Sequence, residues 1–216
     1  MYRELQCLFS SSVVVCIADE AMWHLPLYPE EQIYAQAMVA KRRAEFQAGR
    51  ACARQVLAEL GVHAFPLLRN EHRVPLWPMG VVGSIAHCDD LCWAAAASTN
   101  ALLGLGVDVE SAQAEINFPA ELICVAEELV DVPDPLVRSD WLRLLFSAKE
   151  SVIKAYYSLA QSNINFLDIC LSLDESDQSI QVQWLRDGQV PIHWFSGRYL
   201  MTESHIFTVV EIKSVQ

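Results

Sequence analysis

Three carboxylates and one ammonium group stand at spacings that could do chemistry together. Asp108 and Glu110 alternate along the apolar run 102–110, so a strand there points both to one side and Val107 and Val109 to the other. Glu150 and Lys154 lie one helical turn apart within 141–159, sharing a polar face with Ser147 and Ser151. Clustered carboxylates raise one another's pKa unless a cation neutralises them. A hard divalent ion such as Mg²⁺ prefers oxygen ligands, commonly carboxylates plus water and phosphate oxygens, and Lys154 could balance phosphate charge beside it. Taken singly, each feature is ordinary. An exposed Glu–Lys pair at this spacing contributes only a few tenths of a kcal/mol, and Asp-x-Glu on a strand is a weak signal.

The cations add to this picture. Lys41, Arg42, Arg43, Arg50 and Arg54 place five of the chain's fifteen Lys and Arg residues in one helical stretch, although the formal net charge is −12. Arg43, Arg50 and Arg54 are spaced by seven and four residues and should share a polar side. The ordinary explanation is a solvated helix face. The chemical one is a site for a polyanionic small molecule, which guanidinium groups grip well. The overall acidity disfavours a general nucleic-acid binder, which carries a basic footprint.

Elements must hold these groups in place. Residues 13–17 and 81–87 read as strands, 92–98 as an Ala-rich strand between two others, and 102–110 as a further strand. Residues 30–60 are helical, as one helix or as two with a break near Gly49, and 62–80 are mainly loop. A helix is expected over 115–130, closed by Pro133 and Pro135. In 141–159 the residues Trp141, Leu145, Ala148, Val152, Tyr156 and Leu159 form an apolar stripe. An antiparallel meander follows at 166–173, 179–186, 190–196 and 205–212, with Asp187-Gly188 as a hairpin turn. Gly104-x-Gly106 lacks the full phosphate-loop pattern. The expected class is α/β (α+β): two similar halves, 1–105 and 106–216.

With 53% hydrophobic and 19% charged residues, the chain is globular. The seven cysteines are odd in number and scattered, reading as reduced thiols in a reducing compartment. Val13–Ala18 is too short for a signal core, and no run approaches the ~20 apolar residues of a membrane span. A cytoplasmic protein is expected.

In order and spacing, three blocks resemble the signature motifs of the 4′-phosphopantetheinyl transferases. They are Gly83-Ser84-Ile85-Ala86-His87, Gly106-Val107-Asp108-Val109-Glu110 and Phe146-Ser147-Ala148-Lys149-Glu150-Ser151-Val152-Ile153-Lys154-Ala155. Residues 42–50 and the approach Pro75-Leu76-Trp77-Pro78 resemble the enterobactin-synthase type within the surfactin-synthase-type group. The resemblance spans roughly residues 40 to 170. It implies two α/β halves with pseudo-twofold symmetry and an active site in the cleft between them. It also implies an enzyme of the holo-[acyl-carrier-protein] synthase kind, with coenzyme A as donor and Mg²⁺ (or Mn²⁺) as metal. The acceptor would be a serine of an acyl, peptidyl or aryl carrier protein. By motif position, Asp108, Glu110 and Glu150 would hold the metal, with Glu150 or a water beside it as base. Lys154 would bind pyrophosphate, and His87 with Arg42 or Arg43, Arg50 and Arg69 would hold the phosphates of coenzyme A.

One departure stands out. The family commonly has Ser or Thr where this chain has Ala86, so that hydroxyl is either absent or supplied by Ser84. The carrier is expected to meet a mainly apolar surface around 111–135, and one copy of the chain should suffice. Two other activities fit some of the same residues. A metal-dependent nuclease or phosphodiesterase also combines strand carboxylates with Glu and Lys, and a non-catalytic coenzyme A-binding module would need the cations alone. The residues do not choose among non-ribosomal peptide, siderophore, polyketide and fatty-acid carriers.

Overall fold

The computed structural model describes residues 2–115, 118–130, 135–186 and 191–213. Helix α1 (Tyr2–Gln6) and strand β1 (Val14–Ile17) precede α2 (Pro29–Ala35), α3 (Ala40–Glu59), β2 (Val81–Cys88) and β3 (Leu91–Ser98). Strand β4 (Gly104–Ser111) and the long helix α4 (Pro135–Ala160) follow. The chain closes with β5 (Ile169–Asp174), β6 (Ser179–Trp184), β7 (Phe195–Met201) and β8 (His205–Ile212). The strands form two antiparallel sheets, ordered β1-β3-β2 and β4-β8-β7-β6-β5. This is the expected mixed α/β class. One long helix lies on each sheet, α3 on the three-stranded one and α4 on the five-stranded one.

Alternation explains how the layers stack. On one face of the small sheet, Ala94 and Ala96 pack beneath Cys52 and Val56 of α3. On its other face, Trp93, Ala95 and Ala97 meet Val107, Val109 and Phe207 of the large sheet. Strand β3 is therefore buried on both faces, and burial overrides the poor strand propensity of alanine. The far face of the large sheet is covered by Leu145, Ala148 and Val152 of α4 against Ile169, Ile206 and Val210, so the apolar stripe of α4 does anchor the helix.

Helix α4 approaches β4 closely because β4 carries glycines there. A Cβ on Gly106 would lie 1.9 Å from the Ser151 carbonyl oxygen, and one on Gly104 would lie 2.6 Å from that of Ala155. The Gly-x-Gly pair is a seat for the helix that carries Glu150 and Lys154. Between them, Ser147, Ser151 and Thr208 form a buried hydroxyl network at 2.8–2.9 Å that fixes α4 on β8.

Four expectations change or fall elsewhere. The stretch 30–60 is two helices, but the joint lies at 36–39 rather than at Gly49, which sits inside α3 with Ile85 packed on it. Of the helix expected over 115–130, residues 116–117 lie outside the described residues, and 118–130 instead hold two 3₁₀ turns, Ala120–Leu122 and Ala126–Leu129. The physical reason is the fully buried Lys149–Glu128 pair at 2.7 Å. Glu128 accepts from the backbone N–H groups of Val125 and Leu171, and Lys149 donates to the carbonyls of Ile123, Phe166 and Ile169. Tertiary bonds thus take the place of a helical ladder. The strand expected over 190–196 starts at Phe195 after a 3₁₀ turn, Ile192–Trp194. Asp187-Gly188 lies outside the described residues.

Candidate active site

Strand β4 and helix α4 bring the acidic groups together as alternation and helical spacing require. Asp108 is only 7% exposed. Its carboxylate accepts from Ser147 Oγ at 2.8 Å and pairs with Lys154 Nζ at 2.7 Å. Burial and the neighbouring Asp108 push Glu110 up to about 7. Burial also raises Glu150, with Asp108 adding to it and Lys154 opposing. Burial works against the charge of Lys154, but Asp108, Glu150 and Glu110 outweigh it and hold the ammonium above its ordinary range. One lysine therefore faces three carboxylates, two of which are driven toward protonation. That oxygen-only, over-acidic donor set suits a hard divalent cation. Among the described residues no three His, Cys, Asp or Glu side chains converge at ligand spacing; Asp108 is instead engaged by Lys154 and Ser147.

The cations line a cleft of about 510 Å³. Its walls are α3, the 69–77 loop and α4, and β2 forms its floor. Arg42, Arg50, Arg69, Ser84, His87 and Lys154 all line it. Arg43 does not; it is exposed at the start of α3, so between Arg42 and Arg43 the cleft takes Arg42. Arg54 leaves the expected cluster as well, donating to the Pro26 carbonyl and stacking over Tyr28. Arg50 is 5% exposed, lies over the Phe46 ring at 4.3 Å, and keeps a buried Nε with no partner. Burial pushes its guanidinium down to about 10, so it remains charged at neutral pH. An unpartnered charged donor at the wall of a cleft is a strong anchor for a phosphate. His87 touches Arg42 and lies 3.7 Å from Glu45. Burial and then Arg42 hold its imidazole below the ordinary range, with Glu45 opposing.

Ser84 accepts a hydrogen bond from the Val107 N–H at 3.1 Å and so ties β2 to β4 beside the site. Ala86 is packed in the core between the sheets and is not among the lining residues, so its missing hydroxyl takes nothing from the cleft wall. Glu150 opens to a second groove of about 410 Å³, with Leu122, Leu167 and Arg186; Ile153 borders both cavities. Sequence reasoning did not single out Arg73, Asn70 or Tyr157, which also line the cleft. Arg73 sits in the proline-bounded loop beside Arg69, which was a usable signal. Nothing in the spacing of Asn70 or Tyr157 points to the cleft.

Residues 29–97 match the 4′-phosphopantetheinyl transferase N-terminal domain, and residues 104–210 match the 4′-phosphopantetheinyl transferase superfamily. The chain belongs to this superfamily, whose members transfer phosphopantetheine from coenzyme A to carrier proteins. It is similar to the 4′-phosphopantetheinyl transferase Svp of Streptomyces mobaraensis, 34% identical over 86% of this chain and 78% of that protein. It is also similar to the transferase Npt of Nocardia iowensis, 30% identical over 86% of this chain and 89% of the other. Enterobactin synthase component D of Escherichia coli O157:H7 is 39% identical over 62% of this chain and 65% of its own length. The transferase expected from the three motif blocks is thus the class of enzyme present, and the nuclease and binding-module readings give way to it. No helix among the described residues is long and apolar enough to cross a membrane.

Proposed function

We propose that the chain loads acyl, peptidyl or aryl carrier proteins in the cytoplasm as a monomer, with Asp108, Glu110 and Glu150 holding Mg²⁺ or Mn²⁺. The observation that carries this reading is the junction at Lys154, where an arginine-lined cleft ends beside three carboxylates. Bound there, the ion supplies charge neutralisation for the pyrophosphate. The chain's own groups do the rest. Arg42, Arg50, Arg69 and His87 hold the phosphates of coenzyme A, and Lys154 steadies charge building on the leaving group. The carrier serine reaches Glu150 from the apolar groove beside Leu122 and Leu167, which are exposed. Its oxygen bonds to the phosphorus bearing pantetheine as the bond to the other phosphate breaks, releasing adenosine 3′,5′-bisphosphate. Glu150 takes the serine proton directly or through water.

The test is to incubate the protein with coenzyme A, Mg²⁺ and several apo-carriers, then weigh each carrier. Gain of one phosphopantetheine group, suppressed by a chelator and nearly eliminated in Asp108→Ala, is the expected result. Loading unaffected by chelation, or no loading of any carrier, refutes the reading.

A further inference from the structure

The segment between α3 and β2 doubles back on itself, with Arg69 bridged to Pro75 and Leu76 N–H bonded to the Leu68 carbonyl. Its base is fixed to the N-terminal half. Leu67 N–H donates to the buried Glu31, Tyr34 Oη donates to the Arg69 carbonyl, and Arg69 lies over the Tyr34 ring. Its tip, residues 70–73, carries Arg73 in the left-handed region at φ 65°, where a side chain is strained. The tip is held to the other half through Tyr157. Asn70 Nδ2 donates to Tyr157 Oη at 2.8 Å, and the His72 ring meets the Tyr157 ring edge-on. The same Asn70 accepts from the Val74 N–H through Oδ1 at 3.0 Å, so one side chain both closes the tip and reaches across. Tyr157 is 7% exposed and stands three residues beyond Lys154 on α4.

We propose that Asn70 and Tyr157 form a latch that positions the Arg69–Arg73 hairpin against α4. The latch sets the spacing between the phosphate-holding arginines and Lys154. Both are positioning residues for coenzyme A; they act through the hairpin and not on the reacting atoms. The proposal rests on coenzyme A occupying this cleft, as put forward above. Without the latch the hairpin keeps its anchors on the N-terminal half, so the fold survives while the cationic wall loses its registration with α4.

Calorimetry with coenzyme A and Mg²⁺, alongside carrier-loading kinetics, tests this in Tyr157→Phe, Asn70→Ala and the double variant. Tyr157→Phe removes the one hydrogen bond of the latch and should raise the coenzyme A Kd and KM about threefold to tenfold; Asn70→Ala, which also loses the bond from Val74 N–H, should raise them at least as much. The carrier KM should stay at its wild-type value, the melting temperature should fall by no more than about 2–4 °C, and the double variant should bind no worse than the weaker single. Wild-type coenzyme A binding in Tyr157→Phe overturns the latch. So do additive losses, which would mean that the two side chains act separately, and so does a larger drop in melting temperature with both KM values moving together. Wild-type protein that binds coenzyme A but loads no carrier would sink the transferase reading, while calorimetry would still decide the latch.

Discussion

The environment of Asp108 divides the labour among the charged side chains. Its two oxygens are taken by Ser147 and Lys154, and a carboxylate so bound does not wander. Lys154 also donates to the Val107 carbonyl, so its ammonium is directed from two sides, yet about a third of its side chain is open to the cleft. A cation fixed in this way costs no reorganisation when charge develops nearby, which is why such groups weigh more in the transition state than in binding. Lys154→Met should therefore lower turnover at saturating coenzyme A by roughly 10²–10³-fold, the range for loss of one preorganised charge stabiliser. Rapid-quench carrier-loading rates check it, and a variant defective only in coenzyme A KM would place Lys154 in ground-state binding instead. Glu150→Gln keeps the shape but cannot take a proton; near-wild-type turnover there would hand the role of base to water. The pairing of these residues was legible from strand alternation and helical spacing. The engagement of Asp108 by Lys154 was not, because it depends on how α4 is seated on β4.

At the scale of elements, that seat is the point. Helix α4 and strands β2, β3 and β4 were legible because their periodicity and burial agree. The Gly104-x-Gly106 pair was recognised only as not being a phosphate loop; its purpose shows once Ser151 and Ala155 are seen lying over it. Gly106→Ala puts a methyl group into helix backbone, which has no rotamer with which to move aside. The expected cost is about 3 kcal/mol or more, at the upper end of overpacking, with α4 lifted and activity lost with it. Chemical denaturation would show it, and wild-type stability would mean the seat yields easily. The pattern of 115–130 suggests a helix, and the described part departs from it because its organising contact comes from a distant residue in the chain. Lys149 precedes Glu150 in the motif but turns away from the site into the core, where it meets Glu128 and three carbonyl oxygens. Lys149→Met leaves a buried carboxylate uncompensated, so about 3–5 kcal/mol of stability should be lost. Replacing both partners together, as Lys149→Met with Glu128→Leu, should recover part of that loss.

The whole molecule carries a net charge of −12 yet takes an anionic substrate in the proposed reaction. Two electrostatic effects then compete, and they respond to salt in opposite directions. The global charge repels coenzyme A over long distances, and added salt would relieve that repulsion. The cleft attracts it through Arg42, Arg50, Arg69, Arg73 and Lys154, whose contacts are short, and added salt competes with those. Distance decides between them. The screening length is about 30 Å at 0.01 M ionic strength and about 10 Å at 0.1 M, so the diffuse repulsion is largely gone at moderate salt. The contacts in a low-dielectric cleft persist but face competition from counter-ions. Local attraction should dominate, and the coenzyme A KM should rise several-fold between about 0.1 and 0.5 M salt. Arg50→Met should both raise that KM and flatten its salt dependence, since it removes a buried cation whose Nε has no other partner among the described residues. A KM that falls with salt across this range would mean that the global field outweighs the cleft, and the arginine-lined wall would then not be where the phosphates sit.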